Sequence, residues 1–97
     1  MINFSNAFKD ELAPSVFQFM LDNAVFEDQR CVLTSVPEIM RHFKIGYNRA
    51  CWMVERLMDE GIVSEIKVED SMSYSKYELV NKYLVEMLRD FERVKEN

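Results

Sequence analysis

The stretch Val36-Pro37-Glu38-Ile39-Met40-Arg41-His42-Phe43-Lys44-Ile45-Gly46-Tyr47-Asn48-Arg49-Ala50, continued by Val54-Glu55 and Gly61-Ile62-Val63-Ser64, decides the fold. Ser35 precedes it as an N-cap, with Pro37 in the first turn and Glu38 three residues on, the spacing of a capping box. The helix Val36 to Phe43 places Ile39, Met40 and Phe43 on its apolar side. Ile45-Gly46 interrupts the pattern, and Gly46 is expected to supply the positive φ of a tight inter-helix turn. A second helix runs from about Tyr47 to Glu60. Ala50, Cys51, Val54, Leu57 and Met58 form its inward stripe, and Gly61 ends it at C′. Ile62 to Val68 is a strand candidate, Glu69 to Ser73 reads as a turn, and Tyr74 to Leu79 can return as the second strand of a hairpin.

Outward from this centre, residues 5–23 are helical in pattern, with a break at Pro14. Ala13-Pro14 suits a fresh helix start, because the missing N–H of Pro14 costs nothing in a first turn. Val16, Phe17, Met20, Leu21 and Ala24 then share a face, and Phe4, Ala7, Phe8 and Leu12 form a stripe in the shorter piece before it. Phe26 to Arg30 reads as a loop, and Cys31-Val32-Leu33 as a short strand. Val80 to Lys95 is helical, with Val80, Tyr83, Leu84, Met87, Leu88, Phe91 and Val94 apolar. Lys82, Glu86, Arg89, Asp90, Glu92 and Arg93 lie opposite. The expected class is mainly α with a small β-hairpin, a winged helix-turn-helix with extra N- and C-terminal helices. It is read as one domain over 1–97: helix-turn-helix about 35–60, wing about 62–79, C-terminal helix about 80–95.

Composition narrows the function. The 97 residues, 48% of them hydrophobic, suit one packed domain and argue against a disordered chain. The net charge of −5 does not favour nucleic acid as a whole-molecule property. Its distribution is uneven, however. From Ser35 to Met58, Arg41, Lys44, Arg49 and Arg56 outnumber Glu38 and Glu55, giving +2 and leaving −7 for the rest. Cys31 and Cys51 form no CxxC, and a lone His42 completes no zinc set, so neither metal nor cofactor is expected. No Ser-His-Asp order, nucleophile elbow or phosphate loop is present, so no enzyme is expected and no small-molecule substrate. No apolar run reaches the length of a membrane span, and no signal peptide is seen. A cytoplasmic setting follows by default.

The run Ile45-Gly46-Tyr47-Asn48-Arg49-Ala50, with Gly61-Ile62-Val63-Ser64 at the matching distance, resembles the gamma domain at the C-terminus of the FtsK/SpoIIIE DNA translocases. The resemblance covers about residues 31–66. It implies a non-enzymatic module that binds double-stranded DNA and reads the major groove with helix 47–60. In that family the Asn of this motif, with an Arg and a Glu further along the helix, contacts the recognised DNA. By position Asn48 and Glu55 match two of these. The third position holds Trp52, which cannot give the bidentate guanine contact of an Arg. The wing departs too, with Glu65, Glu69 and Asp70 and only Lys67 as a base before Lys76.

The candidate DNA-binding residues are therefore Arg41, Lys44, Tyr47, Asn48, Arg49, Trp52, Glu55 and Arg56. Asn48 can bond an adenine edge twice, while Arg49, Lys44 and Arg41 can reach phosphate. Two placements stay open. Asn48 and Arg49 could instead cap the helix start, and Trp52 could be core. A protein–protein or oligomerisation module on the same scaffold is the alternative reading. Helix 80–95 is its candidate homodimer seam.

Overall fold

The computed structural model describes residues 2–27, 29–66 and 76–96, with side chains described as far as residue 91. The elements follow in the order α1 (Phe4–Ala7), α2 (Ala13–Asp22), β1 (Val25–Glu27), β2 (Arg30–Leu33), α3 (Val36–Phe43), α4 (Tyr47–Asp59), β3 (Val63–Ile66), β4 (Lys76–Leu79) and α5 (Lys82–Glu96). This is a winged helix: a helix-turn-helix of α3 and α4 followed by the antiparallel pair β3–β4.

Local signals account for the centre. The Glu38 carboxylate accepts the Ser35 N–H at 3.0 Å, closing the capping box that starts α3. At the end of α4, Gly61 has φ +69°. The Gly61 and Ile62 N–H groups donate to the Met58 and Leu57 carbonyls at 3.0 Å each. This is the paired closure in which glycine carries no Cβ penalty. Pro14 sits in the first turn of α2 as its sequence suggests.

Three readings are corrected. Phe26 to Arg30 is not a loop, because Val25 to Glu27 forms β1 and pairs with β2 through Val25↔Val32, Phe26↔Cys31 and Glu27↔Arg30. Gln29 takes the left-handed conformation (φ 68°) that so tight a hairpin turn requires. β2 in turn pairs with β4, so the hairpin becomes a four-stranded sheet of order β1-β2-β4-β3. Second, Gly46 is not the positive-φ residue. α3 closes at Lys44 (φ 55°), where the Lys44 and Ile45 N–H groups both return to the Met40 carbonyl. Gly46 (φ −75°, ψ 165°) is then the extended N-cap of α4. Third, α5 starts at Lys82 rather than Val80. Asn81 caps it, with its side-chain oxygen accepting the Leu84 N–H at 3.1 Å. The expected turn Glu69 to Ser73, with Lys67 and Tyr74, lies outside the described residues.

The core gathers Val16 and Met20 of α2, Ile39 of α3, Ala50, Met53, Val54 and Leu57 of α4, and Ile62. Cys31, Leu33, Tyr77 and Leu79 close it from the sheet. Each large side chain so buried contributes about 1.5–3 kcal/mol of transfer free energy. Burial and the nearby Glu65 charge push the Tyr77 phenol up to about 12.

Candidate nucleic-acid interface

α4 is positioned by its apolar stripe. With Ala50, Met53, Val54 and Leu57 at 0–2% exposure, its opposite side faces out. Asn48, Trp52, Glu55 and Asp59 fall on that side at intervals of three and four residues and are all exposed. Trp52 is 60% exposed, so it is not core. Asn48 is not the cap of α4 either, since Gly46 holds that position. Asn48, Trp52 and Glu55 therefore share one outer ridge.

Trp52, Glu55, Arg56 and Asp59 line a shallow depression of about 300 Å³. Arg41 and Tyr47 meet in a second groove, about 510 Å³, with Pro37 and Met40. Lys44 is exposed at the turn between them. The hydrogen bond with the Cys51 side chain, and the Glu55 charge, push the Tyr47 phenol above its ordinary value of 10.

Arg49 is placed differently. Its Nε and Nη2 donate to the two carboxylate oxygens of Asp10, both at 2.9 Å. The Arg49 guanidinium, then the Leu12 N–H, hold the Asp10 carboxyl down at about 2. Sequence reasoning missed Asp10, which lies 39 positions away and carries no motif. It also missed Asp59, whose place on the outer ridge was available from helical periodicity.

The His42 ring stacks on Phe19 with centroids 4.1 Å apart, and both rings meet Phe43 edge-on. Cys31 and Cys51 are free thiols, and burial raises the pKa of the Cys31 thiol. Among the described residues no cluster of His, Cys, Asp and Glu could hold a metal, and no helix is long and apolar enough to cross a membrane. The apolar stripe read on the last helix divides. Leu84 and Leu88, joined by Val85, pack on the core. Tyr83, Met87 and Phe91 are 79%, 67% and 59% exposed, and Val80 is exposed before the helix begins.

A family model, the Ftsk gamma domain, matches residues 9–71. The match takes in α2 and the first hairpin as well as the helix-turn-helix, and leaves α1 and α5 outside it. Comparison with curated proteins gives no match.

Proposed function

Because the chain belongs to the FtsK gamma domain family, we propose that it is a non-catalytic protein that binds double-stranded DNA and lays α4 in the major groove. The observation that carries this reading is the shared outer ridge of Asn48, Trp52 and Glu55, directly after the turn of a helix-turn-helix. The first turns of a recognition helix come nearest the base edges. Asn48 pairs there with an adenine edge, and Glu55 accepts from a cytosine amino group. Arg41, Lys44 and Tyr47 contact phosphates beside it, and Arg56 flanks Trp52. The whole chain acts as a single winged-helix domain, in the cytoplasm, without cofactor or small-molecule substrate.

The acidic remainder of the chain limits affinity. Few basic side chains reach the duplex, so binding by one copy is weak, with a salt slope of only about 0.9 for each phosphate contacted. A fluorescence-anisotropy titration at low salt tests the proposal. Binding that weakens on Asn48→Ala supports it, and absence of binding to any duplex refutes it.

A second reading rests on α5. The exposed side chains Tyr83 and Met87 lie one turn apart, and a self-paired α5 would double the DNA contacts of the assembly. Sedimentation of the protein and of a Tyr83→Glu, Met87→Glu variant tests this. Association of the parent that the variant loses supports a homodimer through α5, and a parent that stays monomeric refutes it.

A further inference from the structure

A short segment of chain holds the reading helix from both ends. The Asn3 N–H and the Asn6 amide donate to the two carboxylate oxygens of Glu60 at 2.8 Å each, at the C-cap of α4. Asp10 takes Arg49 in the first turn. Residues 3–10 thus run antiparallel to α4, and the anchor points Arg49 and Glu60 are about 16 Å apart at 1.5 Å of rise per residue. Between them Ala7 is fully buried.

We propose that Arg49 is a positioning residue and not a DNA contact: with Asp10 it fixes the angle at which α4 presents Asn48, Trp52 and Glu55. The inference rests on the DNA-binding reading above. Three observations support it. The guanidinium makes a two-pronged contact, through Nε and Nη2, with a single carboxylate. Arg49 is also turned about 100° around the helix from Asn48, toward the segment that carries Asp10. Finally, Asp10 is not free to swing away. Its Oδ1 also accepts the Leu12 N–H at 2.9 Å, and its carbonyl accepts the Ala13 N–H at 2.9 Å. Releasing Arg49 to a phosphate would strand a carboxylate that organises the entry to α2. That carboxylate stays ionised at any pH where the protein meets DNA.

The competing arrangement, in which a DNA phosphate displaces Asp10, predicts tighter binding by Asp10→Asn. Asp10→Asn keeps an oxygen for the Leu12 N–H and removes the charge, while Arg49→Lys keeps a charge and removes the fork. Each is expected to weaken binding to a fluorescently labelled duplex of random sequence by about tenfold, within the range of coupled pairs. The double variant should be no weaker than either single one, and the salt slope should not change. Tighter binding by Asp10→Asn overturns the inference. So does a salt slope that Arg49→Ala reduces by about 0.9, the value of one phosphate contact. If the parent binds no duplex, the DNA reading falls and amide exchange in the free protein decides. Faster exchange at Ala50 to Met53 in both single variants upholds the positioning role, and unchanged rates overturn it.

Discussion

α4 and α5 are both amphipathic helices of similar length, 13 and 15 residues, and the fold uses them in opposite ways. α4 buries Ala50, Met53, Val54 and Leu57 almost completely, with Cys51 and Met58 partly covered, is closed by Gly61, and is pinned by polar pairs near each end. What it shows to solvent is a ridge of mixed polar character around one Trp. α5 buries less. Leu84, Val85 and Leu88 are only partly covered, and Arg89 lies over the Phe26 ring at 5.3 Å. What it shows to solvent includes Tyr83 and Met87. A helix that must present side chains at a fixed angle needs a well-buried inner stripe, since partial burial leaves local opening cheap. A helix with apolar groups on its outer side is suited to association.

Truncating the buried stripes should separate the two helices most. Leu57→Ala in α4 is expected to lower stability by about 3 kcal/mol, the cost of removing a fully buried Leu and leaving a cavity. Leu84→Ala in α5 should cost about 1 kcal/mol, because its site is already partly solvated. Urea denaturation measures both. Equal losses would break the contrast.

That contrast was partly legible in the sequence. The caps Ser35, Glu38 and Gly61 act within a few residues, so short-range reasoning finds them. Of the inward stripe of α4 it finds Ala50, Val54 and Leu57 but misses Met53, which is buried where Cys51 and Met58 are only partly covered. Lys44 was not legible. Gly46 is the nearer candidate for a positive φ, but the left-handed residue falls where the last turn of α3 closes on Met40. β1 is three residues long and is held by its partner strand rather than by its own pattern. The start of α5 was misplaced because Val80 fits the apolar period, although Asn81 is the better cap. For the site, the resemblance pointed to Asn48 and Glu55, and both lie on the outer side of α4. It could not show that Arg49 meets Asp10, because an ion pair across 39 positions leaves no local signature.

Trp52 gives the next effect. Its exposure means that Trp52→Ala should leave stability within about 0.5 kcal/mol of the parent. The same change should weaken duplex binding by about tenfold, the scale of losing one good base contact. Trp52→Arg sharpens the test, since a guanidinium offers guanine two donors. Duplexes selected from a random pool by Trp52→Arg should gain a guanine preference that the parent lacks. An unchanged selected sequence would show that Trp52 faces no base.

A smaller signal lies in the acid range. The Asp10 carboxyl is depressed from 3.8 to about 2 in the folded state. A lowered carboxylate pKa adds stability above the unfolded value and loses it as pH falls through the folded one. The window is therefore about pH 4 down to 2. Asp10→Asn should flatten the fall of thermal midpoint with acid in that window and leave the α5 contacts unchanged. A parent and variant that lose stability in parallel there would mean the pair is not formed in solution.

The smallest effects come from the two glycines that bound α4. Gly61 has φ +69° with open space where a Cβ would stand, so Gly61→Ala meets only backbone strain. It should cost about 1 kcal/mol, the left-handed penalty less the entropy removed from the unfolded chain. Gly46 also has open space, but its φ of −75° suits any residue. Gly46→Ser reduces unfolded-state freedom and adds a hydroxyl that can accept an orphan N–H of the first turn. It is expected to stabilise the fold by about 0.5 kcal/mol. Opposite signs at the two ends, read from denaturation midpoints, would show that only the C-terminal glycine of α4 is required by backbone geometry. A loss at Gly46 of the size seen at Gly61 would instead mean that the inter-helix turn does take its positive φ there, and that Lys44 is not the hinge of the helix-turn-helix.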